Sequence, residues 1–593
     1  GANNGNNGAN NGNNGNNGGE CLEGESRCLD NDTLERCVGT TWTPEDCPDT
    51  FLCEEGQCRR PQCEPGTILG CQGVNHQAVC NESGTGVEAR ECPPEMSFCR
   101  DGECTDRVCD EGETRCAGPD RSLICNEDQS DFIANEDCGT GQACDEGECR
   151  SLCEINSKVT SYLGCDYRTL DLDNVADPLL APAVVVSNPD PSLTAEVTIT
   201  RVDGTQEGTL SVGPGQLEIF ELPTTRGIDN TGIFRNNSWR VDSSIPVTAH
   251  QFNPLNGANV FTNDASLLLP SNAADMEYIV MSWKHRDLGQ PLRGFATVVA
   301  LEDNTTVNVT PTANVIAGGG VPRLTRGQNW STTLMDGEVL SLSTEGPAGA
   351  DLTGTVITAS APIQVFGGHE CANIPRQDIN YCDHVEQQLF PVSSWGSRYA
   401  VVPFWPRNRS QVDTFYIVGG ADNVRVSTNP PQPIDGLTLA RGQVIEFTTS
   451  QAFEIAADGP IMVGQFLHGS NYTGFAGDQR CSFGTTGIGD PAFTLSVPTE
   501  QFRDNYIVLT PPNYVEDYLN IVAPTGATVM LDGQPLSGFR PIGNTGFGFL
   551  QRNVTDGVHT LTADQSFGLV AYGYDCDVSY AYPGGLNLGA LGR

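Results

Sequence analysis

Three sets of six cysteines follow a short tail, and their rhythm dictates what the first quarter of this chain can fold into. The sets are Cys21, Cys28, Cys37, Cys47, Cys53 and Cys58; Cys63, Cys71, Cys80, Cys92, Cys99 and Cys104; and Cys109, Cys116, Cys125, Cys138, Cys144 and Cys149. Eight residues always separate the second and third cysteine, and four always separate the last two. Each set closes on a Gly turn, at Gly56, Gly102 and Gly147. A repeat of about 44 residues buries too little apolar surface to hold itself together, so cross-links must do it. Zinc would want CxxC pairs, which are missing, and histidines, of which only His76 lies here. The repeats, about 20–60, 61–106 and 107–152, therefore read as disulfide-rich. Six cysteines allow fifteen pairings, and spacing does not choose among them. Cysteines in this number also place the chain in an oxidising compartment outside the cytosol.

From Cys153 onward the cysteines thin out and a second period, of about 100 residues, takes over. Three segments open with a Pro eight positions ahead of a Tyr: Pro270 and Tyr278, Pro391 and Tyr399, Pro498 and Tyr506. Alternating strands follow each of them, as in "ATVVALEDNTTVNVT" and "LNIVAPTGATVMLDG". Closing strands then recur as "IPVTAHQF", "APIQVFGGH", "GPIMVGQFLHG" and a Pro-less "SFGLVAYGY". An initial unit, from Pro182, lacks the Pro–Tyr opener but keeps the strand pair. The prediction is a mainly β chain of tandem β-sandwich-like domains at 153–263, 264–385, 386–492 and 493–593, arranged as a rod. The small disulfide-rich repeats and a Gly/Asn-rich extended tail precede them. Each opener Pro marks the entry to a sheet, and each Tyr should plant its ring in the core with its hydroxyl at a loop.

The tail, "GANNGNNGANNGNNGNNGG" over residues 1–19, has no side chain that could build a core. It reads as a flexible tether, or as Asn ladders formed when copies stack. Residue 1 is read as a processed end. Acids outnumber bases 75 to 32, a formal charge of −43, which excludes nucleic acid as a partner. No apolar run is long enough to cross a bilayer, so no membrane span is predicted, and a lipid anchor ahead of Gly1 is left open. No G-x-S-x-G elbow, HExxH, P-loop or EF-hand pattern occurs. The chain is not predicted to be an enzyme, and no cofactor is called for.

One stretch carries a family resemblance: "PIQVFGGHECANIPRQDINYCDHVEQQLFPVSSWGSRYAVVPF", with the later "GDPAF" and "VSYAYPGG". It resembles the IgG Fc-binding protein N-terminal domain family, which also occurs in secreted bacterial proteins, often after Cys-rich repeats. The likeness is sharpest over 360–410 and extends more weakly over 165–593. It implies an extracellular, non-enzymatic, all-β module associated with adhesion or surface layers. The tail and the Gly–Asn composition suggest a bacterial source.

Among candidate site residues, His369, Cys371, Cys382 and His384 form an H-x-C…C-x-H cluster that offers four zinc ligands on paper. A Cys371–Cys382 disulfide is the simpler reading in an oxidising compartment. His369 and His384 would then frame an exposed, stapled loop, a fair place for a binding surface. By elimination, Cys153 pairs with Cys165, tying the Cys-rich arm to the first sandwich, and Cys481 pairs with Cys576. Three histidines on or just past closing strands (His250, His369 and His468) could gather at one end of the array. "GDPAF" holds Ala492 where a self-cleaving sequence would want an imidazole, so a turn is the stronger reading. The functional expectation is an extracellular structural or adhesive protein, a subunit of a surface filament or layer that self-associates through its tail. The runner-up is a monomeric surface receptor for glycans or glycoproteins, and a secreted hydrolase comes third.

Overall fold

The computed structural model describes residues 25–29, 33–38, 41–47, 52–54, 57–59, 63–175, 181–223, 227–255, 261–379, 381–408, 410–473, 487–512 and 514–591. The tail, residues 1–19, lies outside them. The chain divides into two compact units, Gly1–Arg150 and Ser151–Arg593.

In the N-terminal unit the cysteine pairing repeats. First joins third, second joins fifth and fourth joins sixth: Cys63–Cys80, Cys71–Cys99 and Cys92–Cys104, then Cys109–Cys125, Cys116–Cys144 and Cys138–Cys149. Cys47–Cys58 repeats the last of these links in the first set. The second repeat is a three-stranded sheet, Ile68–Cys71, His76–Cys80 and Val87–Glu91, beside a hairpin of Phe98–Arg100 and Glu103–Thr105. Its two-residue turn has both central residues in the left-handed region, Asp101 at φ 49° and Gly102 at φ 88°, as a tight hairpin demands. Glu146 and Gly147 repeat that turn. The turn glycine's carbonyl accepts from one strand position in both repeats, Gln77 Nε2 and Ser122 Oγ, each at 2.5 Å.

The C-terminal unit holds four repeats of one strand order. The first has β1 (Gly164–Leu170), β2 (Ala183–Ser187), β3 (Ser238–Phe252) and β4 (Ala265–Leu268). The second has β5 (Asp275–Ile279), β6 (Gly294–Ala300), β7 (Val356–Ala372) and β8 (Asp383–Gln388). The third has β9 (Arg398–Val401), β10 (Asp413–Gly419), β11 (Ile461–Phe466) and β12 (Phe493–Leu495). The fourth has β13 (Arg503–Thr510), β14 (Glu516–Pro524), β15 (Gly557–Asp575) and β16 (Val578–Pro583).

The long strands β3, β7 and β15 each run through two sheets. The first half pairs with the opening strand, and the second half lies between the inner and the closing strand. In the third repeat the run is split, with Phe453–Ala457 as the first half and β11 as the second. The change of sheet falls at Pro246, Pro362 and Pro460, with Ser566 in the fourth repeat. Proline has no N–H to give a ladder, so the chain can leave one sheet for the other there. A buried tyrosine secures each crossing by donating its hydroxyl to the next carbonyl: Tyr167 to Val247 O at 2.6 Å, Tyr278 to Ile363 O at 2.9 Å, Tyr399 to Ile461 O, and Tyr506 to Phe567 O at 2.5 Å. The hydroxyls are thus buried on a strand, not at a loop. The first repeat lacks the opener Pro, yet Tyr167 fills the role. Its entry is set instead by helix α1 (Leu152–Ser157), capped by Ser151, and by the Cys153–Cys165 disulfide.

The four closing strands meet. β4 lies against β8 and β16, and β12 lies against the same two. Within this unit the repeats therefore close into a ring instead of extending as a rod. The Asp264 carboxylate sits where they converge and accepts a backbone N–H from every repeat: Ala265 and Ala581 on Oδ1 at 2.9 and 3.2 Å, Phe493 and Glu386 on Oδ2 at 3.0 and 3.3 Å. Gln387 Nε2 donates to the carbonyls of Ala265, Phe493 and Ala581 at 2.7, 2.9 and 3.0 Å. Apolar packing also crosses the repeats, since one buried cluster takes in Tyr162, Trp283, Phe466 and Phe502.

Candidate functional site

The register brings eight loops to one end of the ring. The inner strands start beside the ends of the long strands, with Ala183 opposite Phe252, Gly294 opposite His369, Thr414 opposite Phe466 and Glu516 opposite Tyr574. The closing strands start there too, with Ala265 opposite Phe252, Asp383 opposite Ala372, Phe493 opposite Phe466 and Val578 opposite Asp575. The loops into the inner strands and the loops into the closing strands therefore emerge together, as a crown.

Cross-links fix these loops to one another. The Asn263 N–H donates to Asp383 Oδ1 at 2.6 Å, and Asn263 Nδ2 donates to Tyr514 Oη. The Gly469 N–H reaches Ile374 O at 3.0 Å, and the Gly489 N–H reaches Asp575 O at 2.6 Å. The half-buried guanidinium of Arg407 donates to the carbonyls of His468, Ile488 and Gly489. Ties of this kind between described loop residues lower the ordering cost of binding a partner.

The crown also gathers aromatic surface. Among the described residues the exposed aromatic side chains are Phe261, Tyr381, Trp405 and Tyr472, and all four stand on it. Exposed Val175, Leu288 and Val515 stand on the neighbouring loops. The Arg376 guanidinium lies 5.8 Å from the centre of the Tyr472 ring. Exposed aromatics and arginine are the residue types that anchor protein interfaces.

Beneath the crown lies a belt of carboxylates, all buried except the half-buried Glu370. Burial pushes Asp173, Asp383 and Asp490 well above the ordinary carboxylate range. It pushes Glu370 and Asp517 up to about 7, against the N–H bond from Arg293 and the hydroxyl bond from Tyr580 respectively.

Cys371 and Cys382 are joined by a disulfide, with Cα atoms 5.0 Å apart, at the base of a crown loop. With both sulfurs in that bond, the four-ligand zinc set has no thiolates. The Arg376 and Asp378 side chains on this loop are exposed. The histidines are not: His369 and His384 are fully buried, on β7 and β8, and so do not frame the exposed loop. His369 Nδ1 accepts from the Cys371 N–H at 3.0 Å, and His384 Nε2 lies 3.1 Å from Glu386 Oε2. Burial lowers both imidazoles to about 3, so both are neutral near pH 7. His250, His369 and His468 all lie near the crown ends of their strands, each with its own partner: His250 packs on Tyr582 and His468 bonds to Thr414 Oγ1. Cys153 and Cys165 both lie in the C-terminal unit. Cys481 lies outside the described residues, and with it the proposed link to Cys576. The aromatic anchors escaped the reading of the sequence. Their one signal is aromatic residues in Pro- and Asn-rich segments, such as "FWPRNRS".

Comparison with known proteins gives two matches. The sequence profile of the family described as IgGFc binding protein matches residues 264–573, more than half of the chain. The human IgGFc-binding protein is 24% identical over 412 residues, which cover 68% of this chain and 7% of that protein. The chain thus spans a small part of its relative's length. A bacterial source gains no support from a human relative. No solved structure matches.

Proposed function

The chain belongs to the IgGFc binding protein family, and we propose that it is a secreted, extracellular, non-enzymatic binding protein whose loop crown receives the surface of a folded glycoprotein. The clustering of Phe261, Tyr381, Trp405 and Tyr472 on interlocked loops carries the reading. Four aromatics left in water by chance would scatter over a ring of this size, whereas a contact surface needs them together. The disulfides of both units fit an extracellular setting, and among the described residues no helix is long and apolar enough to cross a membrane. The relative's name points to the Fc region of immunoglobulin G as the first partner to test.

The experiment is biosensor binding of the full chain to immunoglobulin G Fc and to a panel of secreted glycoproteins. Replacing Phe261, Tyr381 and Tyr472 together by Ala should weaken binding of the partner found by about a hundredfold or more, since each anchor is worth about 1 kcal/mol or more. Leu437→Ala, an exposed residue away from the crown, should change nothing. Unchanged binding by the triple variant would sink the proposal. Self-association through residues 1–19 is a separate proposal, supported if electron microscopy shows filaments that vanish when those residues are deleted.

A further inference from the structure

Trp405 is held as a platform. Its backbone N–H donates to Tyr572 Oη at 2.9 Å and its carbonyl accepts from Tyr574 Oη at 2.8 Å. Its ring stacks on Tyr518, with centroids 5.7 Å apart and planes at 14°. Tyr518 in turn stacks on Tyr572, at 5.6 Å and 17°, and Phe404 closes the cluster edge-on against Tyr572. The three tyrosines are at most 7% exposed, yet Trp405, the outermost ring, is 40% exposed. Covering an indole is worth about 2 kcal/mol or more, and a cluster this well packed had the means to cover it. Four aromatic residues instead orient one flat ring toward solvent.

The rim of the platform says what it would hold. The Glu516 carboxylate accepts from Tyr518 Oη at 3.0 Å and so helps to fix the ring on which Trp405 stacks. The indole N–H of Trp405 meets no acceptor among the described residues, so it offers a donor at the same ring. A pyranose presents a face of C–H bonds that covers an aromatic face, and hydroxyls around its edge that both give and accept hydrogen bonds. An arginine from a partner would stack on the ring as well, but it has no acceptor to offer the indole N–H.

We infer that Trp405 is a sugar-stacking site, through which the crown takes a neutral pyranose of its partner's glycan. The inference rests on the crown being the binding face. Its test is fluorine NMR of the full chain labelled with 5-fluorotryptophan, in which Trp405→Phe identifies the Trp405 resonance among the six tryptophans. The probes are methyl α-mannoside, methyl β-galactoside and N,N′-diacetylchitobiose at millimolar concentration. At least one should shift the Trp405 resonance saturably and leave the other five in place. No shift with any of the three would overturn the inference, as would a shift produced only by the enzymatically deglycosylated partner protein, which would make Trp405 a protein contact. The triple variant at Phe261, Tyr381 and Tyr472 separates the two claims. If it loses the glycoprotein while sugars leave Trp405 unmoved, the crown stands and the sugar site falls. If sugars move Trp405 while the variant binds as well as the native chain, the sugar site stands and the protein contact through the other three aromatics falls.

Discussion

Four backbone N–H groups share the two oxygens of Asp264, two to each, and each comes from a different repeat. An amide in the same place has one acceptor oxygen and one donor nitrogen. Asp264→Asn therefore turns two of the four buried N–H groups toward an NH₂, and each unmet donor costs about 1–3 kcal/mol. A loss of about 2–6 kcal/mol is expected in denaturant unfolding of the full chain, and a loss below about 0.5 kcal/mol would show that the carboxylate is not the hub. Nothing in the sequence sets Asp264 apart from the other acids, because what it binds is main chain, which leaves no side-chain signature. The crossing tyrosines are the opposite case. Tyr278, Tyr399 and Tyr506 stood out because each follows its proline at a fixed distance, whereas Tyr167, with no proline ahead of it, did not.

At the scale of strands and loops, the crown is mounted on carboxylates that burial makes harder to ionise, and this gives it a pH dependence with a definite sign. Asp517, on β14, is raised to about 7 by burial, with Tyr580 Oη donating to it at 2.6 Å and Asp556, His559 and Asp575 nearby. A folded pKa above the unfolded one means a contribution that is fully present below about pH 4 and is lost as pH rises through about 7. The buried histidines His250, His369, His384 and His468, lowered to about 3, act in the opposite direction. Their contribution is complete above about pH 6.5 and is lost as pH falls toward 3. The net curve mixes the two, so the measurement is a difference. Asp517→Asn keeps the acceptor for Tyr580, and its stability relative to the native chain should rise by about 2–4 kcal/mol between pH 4 and pH 7. A difference that stays flat across that window would show that Asp517 ionises freely in the fold. The stapled loop was legible in the two cysteines flanking it. The burial of His369 and His384 was not, since it depends on two strands pairing and on Phe295 covering His384 from a third.

Over the whole C-terminal unit, the fourfold period could be read from the sequence but its closure could not. Closure depends on the end of the last repeat returning to the start of the first, a contact between residues more than 400 positions apart with no motif in common. The Tyr162 N–H donates to Leu586 O at 3.1 Å and the Leu588 N–H to Thr160 O at 3.0 Å, an exchange that joins the first repeat to the segment after β16. The same segment holds the fourth and third repeats, through Arg503 Nη1 to Asn587 Oδ1 at 2.7 Å and the Leu591 N–H to Ser393 O at 3.0 Å. Leu586 and Leu588 are both buried in this seam, and each contributes about 1.5–3 kcal/mol by leaving water. Removing residues 585–593 strips both leucines and these bonds while leaving every strand of the four repeats intact. A ring held at its seam should then open there first. Hydrogen exchange should rise at Tyr162–Leu170, at the edge of the first repeat, while the Asp264 hub and β12 keep their protection. Exchange that rises evenly over all four repeats would mean the seam is an integral part of one cooperative core. No change at Tyr162–Leu170 would mean that the closing strands around Asp264 hold the ring without it.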